Sequence, residues 1–240
     1  MLRHVVVLAP MPMEMDAITA AFKLSPDGEG PQATWSGQVG QSDVTAVHIG
    51  MGPPLTRLAL ERLFDESAPG YRPIDHVMNA GICGGLDPSL QTGTVINPEF
   101  LIEHSTGRSY ANGSPSEVPR RGTLITTDDA TTNHEQSRSL FGEGCIAVDM
   151  ESAAVADFCS KAGVPWSIYR CIGDRWFDGL LDERVLAATN PDGSGNMEEI
   201  RRLMEDPQIR ANLERLGRET TVAAQRAATA AVKGCLALDQ

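Results

Sequence analysis

Apolar, largely β-branched runs recur along the chain at 5–8, 44–49, 76–78, 94–96, 124–126, 145–148 and 167–172, and each reads as a strand. Between several of them the apolar residues fall at helical spacing, notably over 55–64 and 150–162. Gly163 follows the second as a natural helix-ending residue. Strands alternating with helices predict an α/β fold, a single domain over residues 1–240 built on a twisted, mixed or largely parallel central sheet flanked by helices. Segment 104–122 is rich in Gly, Ser, Pro and Asn and reads as a long surface excursion inside that domain. From about residue 180 the pattern changes. A turn at Asn190-Pro191-Asp192-Gly193 leads into helical stretches over 197–205 and about 209–236, a helical extension suited to covering the sheet or a subunit contact.

Composition narrows the classes. The 240 residues carry 20 Lys plus Arg against 32 Asp plus Glu, a formal charge of −12, which disfavours nucleic acid and anionic membranes as partners. No stretch is apolar for the ~18 residues that a membrane helix requires, and the first residues lack the form of a signal peptide. The five cysteines are widely spaced and read as free thiols of a cytoplasmic protein. The five histidines show neither HxxH nor HxxxH spacing, and no paired cysteines accompany them, so neither a metal site nor a cofactor is expected.

In open α/β sheets ligands bind beyond the carboxyl ends of the strands, which directs attention to three segments. After the first strand, Ala9-Pro10-Met11-Pro12-Met13-Glu14 contains no glycine and excludes a dinucleotide-binding GxGxxG turn. Glu14 there reads equally as a site carboxylate or as a first-turn acid favoured by the helix dipole. The second and third strands lead into Gly50-Met51-Gly52 and Asn79-Ala80-Gly81-Ile82-Cys83-Gly84-Gly85-Leu86. Such glycines allow either a tight turn or close backbone approach to a ligand. Cys83 reads as a buried small hydrophobe rather than a nucleophile. In Val148-Asp149-Met150-Glu151-Ser152 a strand passes into a helix with Asp149 as a possible N-cap and Glu151 near the positive end. Arg170, inside the last strand, needs an anionic partner, and Asp174 at its carboxyl end is placed to face a pocket.

Glu14, the Asn79 to Leu86 motif, Ala147-Val148-Asp149-Met150-Glu151-Ser152 and Arg170-Cys171-Ile172-Gly173-Asp174 together resemble the purine nucleoside phosphorylase and methylthioadenosine/S-adenosylhomocysteine nucleosidase superfamily. The resemblance runs in order from about residue 4 to about residue 178. It implies cleavage of the bond between a purine base and ribose in a nucleoside or a 5′-substituted relative, without a cofactor, by a homo-oligomer. Asp174 matches the acid that protonates N7 of the base, and Glu14 and Arg170 match the pair that orients the nucleophilic water. Glu151, with Met150 beside it, matches the ribose clamp. Gly81, Ile82 and Met51 fall in the substrate-binding loops, and Thr131 falls where the methylthioadenosine enzymes carry an aromatic residue. Trp176 is then an alternative aromatic wall for the base.

Phosphorolytic members place arginines in the first loop and just before the glycines of the third segment, whereas this chain has Glu14 and Asn79 there. A carboxylate repels phosphate and can accept a proton from water, so the pattern favours hydrolysis over phosphorolysis. Ile82 and Gly173 stand where serines are usual, which keeps a non-catalytic nucleoside binder as an alternative. The tail is similar to that of a bacterial subgroup that includes nucleosidases of hopanoid biosynthesis, which act on an adenosyl-lipid precursor.

Overall fold

A computed structural model describes residues 2–28 and 34–239. In chain order the elements are β1 (Arg3–Ala9), α1 (Pro12–Phe22), β2 (Ser25–Asp27), β3 (Thr34–Val39), β4 (Ser42–His48), α2 (Pro53–Leu63) and β5 (His76–Gly85). Then come β6 (Val95–Ile96), β7 (Phe100–Glu103), β8 (Ser109–Ala111), β9 (Thr123–Thr126), α3 (His134–Gly142), β10 (Cys145–Asp149), α4 (Ser152–Ala162) and β11 (Trp166–Arg175). The tail holds α5 (Glu183–Ala187), α6 (Met197–Leu203) and α7 (Pro207–Ala237).

All strands join one mixed sheet. Its main path runs β2-β3-β4-β1-β5-β10-β9-β7-β8, and β11 pairs with both β5 and β6. Strand β5 organises the centre. Its first half lies parallel to β1, from Val5↔His76 to Leu8↔Asn79, and its end lies antiparallel to β10 at Val148↔Gly84 and Ala147↔Gly85. On its other side β11 accompanies it from Val77 to Gly85. Residues 80–83 are therefore paired on one side and open on the other, where β1 and β10 diverge. This fork is the topological switch point at which an open α/β sheet takes a ligand.

The structure changes several expectations. The glycine segment after residue 78 is not a loop but a continuation of β5, because β11 supplies it with backbone partners throughout. Likewise β11 runs on to Arg175, with a bulge between Ile172 and Asp174 that accommodates Gly173 as the extra residue. The 104–122 excursion contributes β8 to the sheet, and Asn112 and Ser114 are buried there: Ser114 Oγ accepts the Ile168 amide at 2.8 Å. Helix α1 starts with Pro12 in its first turn and is held by Glu14, a first-turn acid whose Oε2 accepts the Met11 amide at 2.9 Å. Helix α4 begins after Glu151 rather than with Asp149 as N-cap; Asp149 still accepts the Ser152 amide at 3.1 Å, now as part of a larger buried network.

The tail covers the sheet. Ala223, Ala224, Ala227, Ala228 and Ala231 are buried on one face of α7, and their small side chains let the helix lie close against β11, β5 and α1. Gly234 continues that stripe beneath Tyr169, whose hydroxyl would stand 1.8 Å from a Cβ at this position. All five cysteines are buried and unpaired.

Candidate active site

The fork in β5 frees the backbone of Ile82 on its open side, and two side chains take it up. Ile82 N–H donates to Glu14 Oε1 at 2.7 Å, and Ile82 C=O accepts from Arg170 Nη1 at 3.3 Å. Gly81 is required beside them: a Cβ there would stand 2.1 Å from Glu14 Oε1 and 2.6 Å from Arg170 Nη1. Glycine at 81 thus serves the close approach of two charged side chains rather than a turn.

Arg170 is fully buried and lies among three carboxylates. Its Nε reaches Asp149 Oδ2 at 2.9 Å, its Nη2 reaches Glu151 Oε2 at 2.8 Å, and its Nη1 stands 3.9 Å from Glu14 Oε1. Burial opposes the guanidinium charge, but the Asp149, Glu151 and Glu14 charges outweigh it and hold Arg170 ionised far above its ordinary range. Glu151 Oε1 in turn accepts the Gly52 amide at 2.8 Å, which ties this carboxylate to the loop after β4. Glu14 and Arg170, expected to act together, stand within ion-pair distance of each other. Arg170 binds Asp149 and Glu151 directly and meets Glu14 at longer range, because Glu14 is anchored by the Met11 and Ile82 amides.

Three carboxylates around one guanidinium leave surplus negative charge in a dry place, and the protonation equilibria respond. Burial pushes the Glu14 carboxyl up to about 7 against the opposing pull of Arg170. Burial likewise raises Glu151 to about 6, Arg170 again opposing and Asp149 assisting. Asp174, half-buried beyond the bulge, is pushed up to about 6 by burial first and then by the charges of Asp178 and Glu219. The charges that act on Asp174 are thus those of Asp178 and Glu219. Arg175 turns away from Asp174: it makes paired 2.9 Å bonds to Asp178 and lies over the Phe177 ring.

Other expected residues fall around this cluster. Met150 reaches toward Gly52, with its Cε 3.6 Å from where a Cβ on Gly52 would be. Met51 N–H donates to Pro191 C=O at 2.9 Å, so the Asn190 to Gly193 turn closes on the loop after β4. Thr131 Oγ1 is enclosed without a hydrogen-bond partner, a free donor and acceptor in the segment between β9 and α3. Trp176 donates its indole N–H to Leu86 C=O at 3.0 Å and packs edge-on to His134 and Phe177. Asn79 is buried, with its amide 3.4 Å from Ser152 Oγ. Cys83 is buried and its thiol pushed far up by burial, which makes it a poor nucleophile.

Ile82 and Gly173 prove to be one feature. The Ile82 side chain occupies the space beside Gly173, where a Cβ would come within 3.1 Å of Ile82 Cδ1 and 3.3 Å of Thr220 Cγ2 on α7. Ile82 thus fills the space that a side chain at 173 would need, while its own N–H remains directed to Glu14.

Sequence reasoning missed the roles of Asp149, Ser152 and Gly52 in the Arg170 and Glu151 network. Asp149 and Ser152 adjoin Glu151 in the chain, so their signal was the motif itself, read as a helix start. Cavities of about 600 and 550 Å³ lie elsewhere, the first beside Arg3, His76 and Trp166 and the second between α7 and residues 115–118. Among the described residues no group of three metal-ligating side chains is gathered, and no helix is long and apolar enough to cross a membrane.

The fold and the site define a member of the mixed-sheet α/β proteins whose ligand chemistry sits at a strand fork. A family model of the phosphorylase superfamily matches residues 4–121 and 117–204, and the chain belongs to that superfamily. It is 29% identical over 163 residues to 5′-methylthioadenosine/S-adenosylhomocysteine nucleosidase of Marinomonas sp. (strain MWYL1), covering 55% of this chain and 68% of that protein. The same-named protein of Geobacillus thermodenitrificans is 30% identical over 165 residues, covering 56% and 64%. Among solved structures, a 5′-methylthioadenosine/S-adenosylhomocysteine nucleosidase from S. pneumoniae with a transition-state inhibitor superposes with a TM-score of 0.72 at 16% identity, covering 98% of this chain and 100% of that one. Futalosine hydrolase of Helicobacter pylori gives 0.68 at 17% identity, covering 100% and 99%. At these identities the structural matches bear on the fold.

Proposed function

We propose that this protein is a nucleosidase, hydrolysing the N-glycosidic bond of a purine nucleoside or a 5′-substituted relative. The observation that carries the reading is the saturation of Arg170. The cation at the centre of the site is already engaged by Asp149 and Glu151 and faces Glu14, so an incoming phosphate dianion would meet net negative charge. Water meets no such penalty and finds a carboxylate of near-neutral affinity for its proton.

In this mechanism Glu151 accepts hydrogen bonds from the ribose hydroxyls, with Arg170 and the Gly52 amide fixing its orientation. Water attacks C1′ and gives a proton to Glu14. The C1′–N9 bond breaks with its electron pair passing to the base, and Asp174 delivers a proton to N7. The sum is nucleoside plus water to free base plus ribose, with one proton moved from Asp174 to Glu14. Proton return through solvent resets both groups. Arg170 acts by holding Glu151 and, at longer range, by favouring the ionised form of Glu14.

The unpartnered Thr131 hydroxyl supports a hydrogen bond to the base edge in place of aromatic stacking. Met51 and Met150, flanking the Gly52 amide, support an apolar substituent on the sugar's 5′ side. A homo-oligomer of single-domain chains completes the site, as the relationship to the family suggests. The compensated packing of Ile82 against Gly173 weighs against a degraded, merely binding site.

Incubation with a panel of purine nucleosides, including 5′-thioethers and long-chain 5′ substituents, tests the reading when products are separated with and without phosphate. Free base and ribose at equal rates in both are expected. Ribose 1-phosphate formed only with phosphate would overturn hydrolysis, and binding without turnover would support the binder.

A further inference from the structure

The tail sends one turn back across the ends of the central strands. Between α5 and α6 the chain folds on itself at Thr189↔Gly195, with Asn190 N–H donating to Ser194 C=O and Gly193 N–H to Asn190 C=O, both at 2.8 Å. Asp192 Oδ1 accepts the Ser194 amide at 2.9 Å and the Ser194 hydroxyl at 2.6 Å, so the turn is closed by its own bonds. Three contacts fasten it to the site loops. Pro191 C=O accepts Met51 N–H at 2.9 Å, Asp192 C=O lies 2.8 Å from His48 Nε2, and Gly193 lies on Met11. A carbonyl can only accept, so Nε2 of His48 carries the proton of that bond. The approach is close on both sides. A Cβ on Gly50 would stand 3.3 Å from the Pro191 carbonyl oxygen, and one on Gly193 would stand 2.5 Å from Met11 Cγ. Gly193 also has a φ of +78°, where any side chain is strained.

The loops that this turn grips are those that hold the site carboxylates. Met11 N–H donates to Glu14 Oε2 at 2.9 Å, and Gly52, next to Met51, donates to Glu151 Oε1 at 2.8 Å. The loops are joined to each other only one step back, where Ile49 N–H donates to Ala9 C=O at 3.0 Å. We propose that the Asn190 to Ser194 turn is a positioning element for the reaction, anchored by His48 and Gly193: it sets the loops after β1 and β4 so that Glu14 and Glu151 are aligned on one sugar. The inference rests on the nucleosidase reading of Glu14 and Glu151. The base end is held by other elements, Asp174 by the bulge of β11 and Trp176 by its bond to Leu86. Loosening the turn therefore disturbs the sugar and water side and leaves proton delivery to the base in place. A reacting group displaced by about 1 Å loses on the order of 100-fold in rate, so a shift of a fraction of that distance is read as roughly tenfold.

The test uses three variants: His48→Phe, which keeps a ring without a donor, His48→Gln, which keeps an N–H donor, and Gly193→Ala, which forces the turn off Met11. Each is assayed for kcat/KM on a purine ribonucleoside, on its 2′-deoxy counterpart, which lacks one hydroxyl for Glu151, and on 4-nitrophenyl riboside, whose leaving group needs no protonation. His48→Phe and Gly193→Ala should narrow the preference for the ribonucleoside over its 2′-deoxy counterpart by about tenfold, through a loss on the ribonucleoside. His48→Gln should keep most of the preference. The ratio of purine ribonucleoside to 4-nitrophenyl riboside turnover should hold its wild-type value in all three, because the acid is undisturbed. If Gly193→Ala does not fold, His48→Phe decides alone, being a change at a half-buried side chain. Equal losses on all three substrates, an unchanged sugar preference in His48→Phe, or a shifted leaving-group ratio would overturn the proposal. Wild-type protein that cleaves no nucleoside, or that cleaves both sugars alike, would instead refute the reading of Glu14 and Glu151 on which it rests.

Discussion

Replacement of Gly81 by Ala probes the site at its tightest point. The added Cβ would lie 2.1 Å from Glu14 Oε1. Ordinary carbon–oxygen contact begins near 3.4 Å, so relief requires about 1.3 Å of movement by one partner. Neither is free to give it. Glu14 is pinned by the Met11 and Ile82 amides at 2.9 and 2.7 Å, and Arg170 by Asp149 and Glu151 at 2.9 and 2.8 Å. The backbone at Gly81 is likewise held in register with Arg170 by β11. Overpacking of this kind costs about 1–3 kcal/mol, and loss of the charge-assisted bond from Ile82 to Glu14 adds about 1.5–3 kcal/mol. The variant should therefore fold but melt well below wild type. A displacement of about 1 Å in a reacting group costs on the order of 100-fold in rate, which is the expected loss in kcat. Gly84→Ala is a milder comparison, since its Cβ would meet Val148 Cγ1 at 3.1 Å and reach Asp174 Oδ1 only at 4.0 Å, and should cost less stability than Gly81→Ala. Thermal melts followed by circular dichroism and turnover followed by chromatography of the released base measure both effects. A Gly81→Ala enzyme with wild-type kcat and an unchanged Tm would refute the claim that this glycine exists to admit Glu14 and Arg170.

Asp174→Asn should lose at least about 100-fold in kcat on purine nucleosides, and near-normal turnover would remove this residue from the mechanism. With Glu14 ionised and Asp174 protonated in the active form, carboxyls near 7 and 6 give a bell-shaped rate profile centred near pH 6.5; a flat profile from pH 5 to 8 would contradict the assignment. Glu14 also couples to stability. Its folded carboxyl binds a proton more tightly than the unfolded one, so its contribution is complete below pH 4.5 and is lost as pH rises through about 7. Glu14→Gln, neutral throughout, should gain on wild type by up to about 3 kcal/mol across that window, read as a pH-dependent difference in urea unfolding. A constant offset would show that Glu14 is not shifted. Gly173→Ser should destabilise by about 1–3 kcal/mol and be partly rescued by Ile82→Ser; additive effects in the double-mutant cycle would separate two positions that the packing joins.

The long apolar runs marked most of the central strands and the larger helices, because strands buried within a sheet carry their signal in the residues themselves. Strand ends were less legible. Glycines at 81, 84 and 85 read as a loop when only local propensity was weighed, yet the pairing of β5 with β11 extends the ladder through them. The edge strand β2 is exposed, β3 beside it is half-buried, and neither carries an apolar run to find. Glu14, Glu151, Arg170 and Asp174 were identifiable from spaced motifs, but their partners depend on contacts between distant segments. Nothing local links Glu219 to Asp174, 45 positions earlier in the chain. Asp149 shows the converse: it adjoins the clamp in sequence, and its cap-like context concealed its bond to Arg170.

The burial of every cysteine has a practical use. Cys83, Cys145, Cys159, Cys171 and Cys235 lie inside the fold, and burial raises each thiol above its ordinary range, so thiol reagents should pass over the native protein. A cysteine introduced at the exposed Phe177 would then be a single chemical handle three residues from the acid. A fluorophore attached there would report ligand arrival near Asp174 without removal of any native residue needed for packing the core.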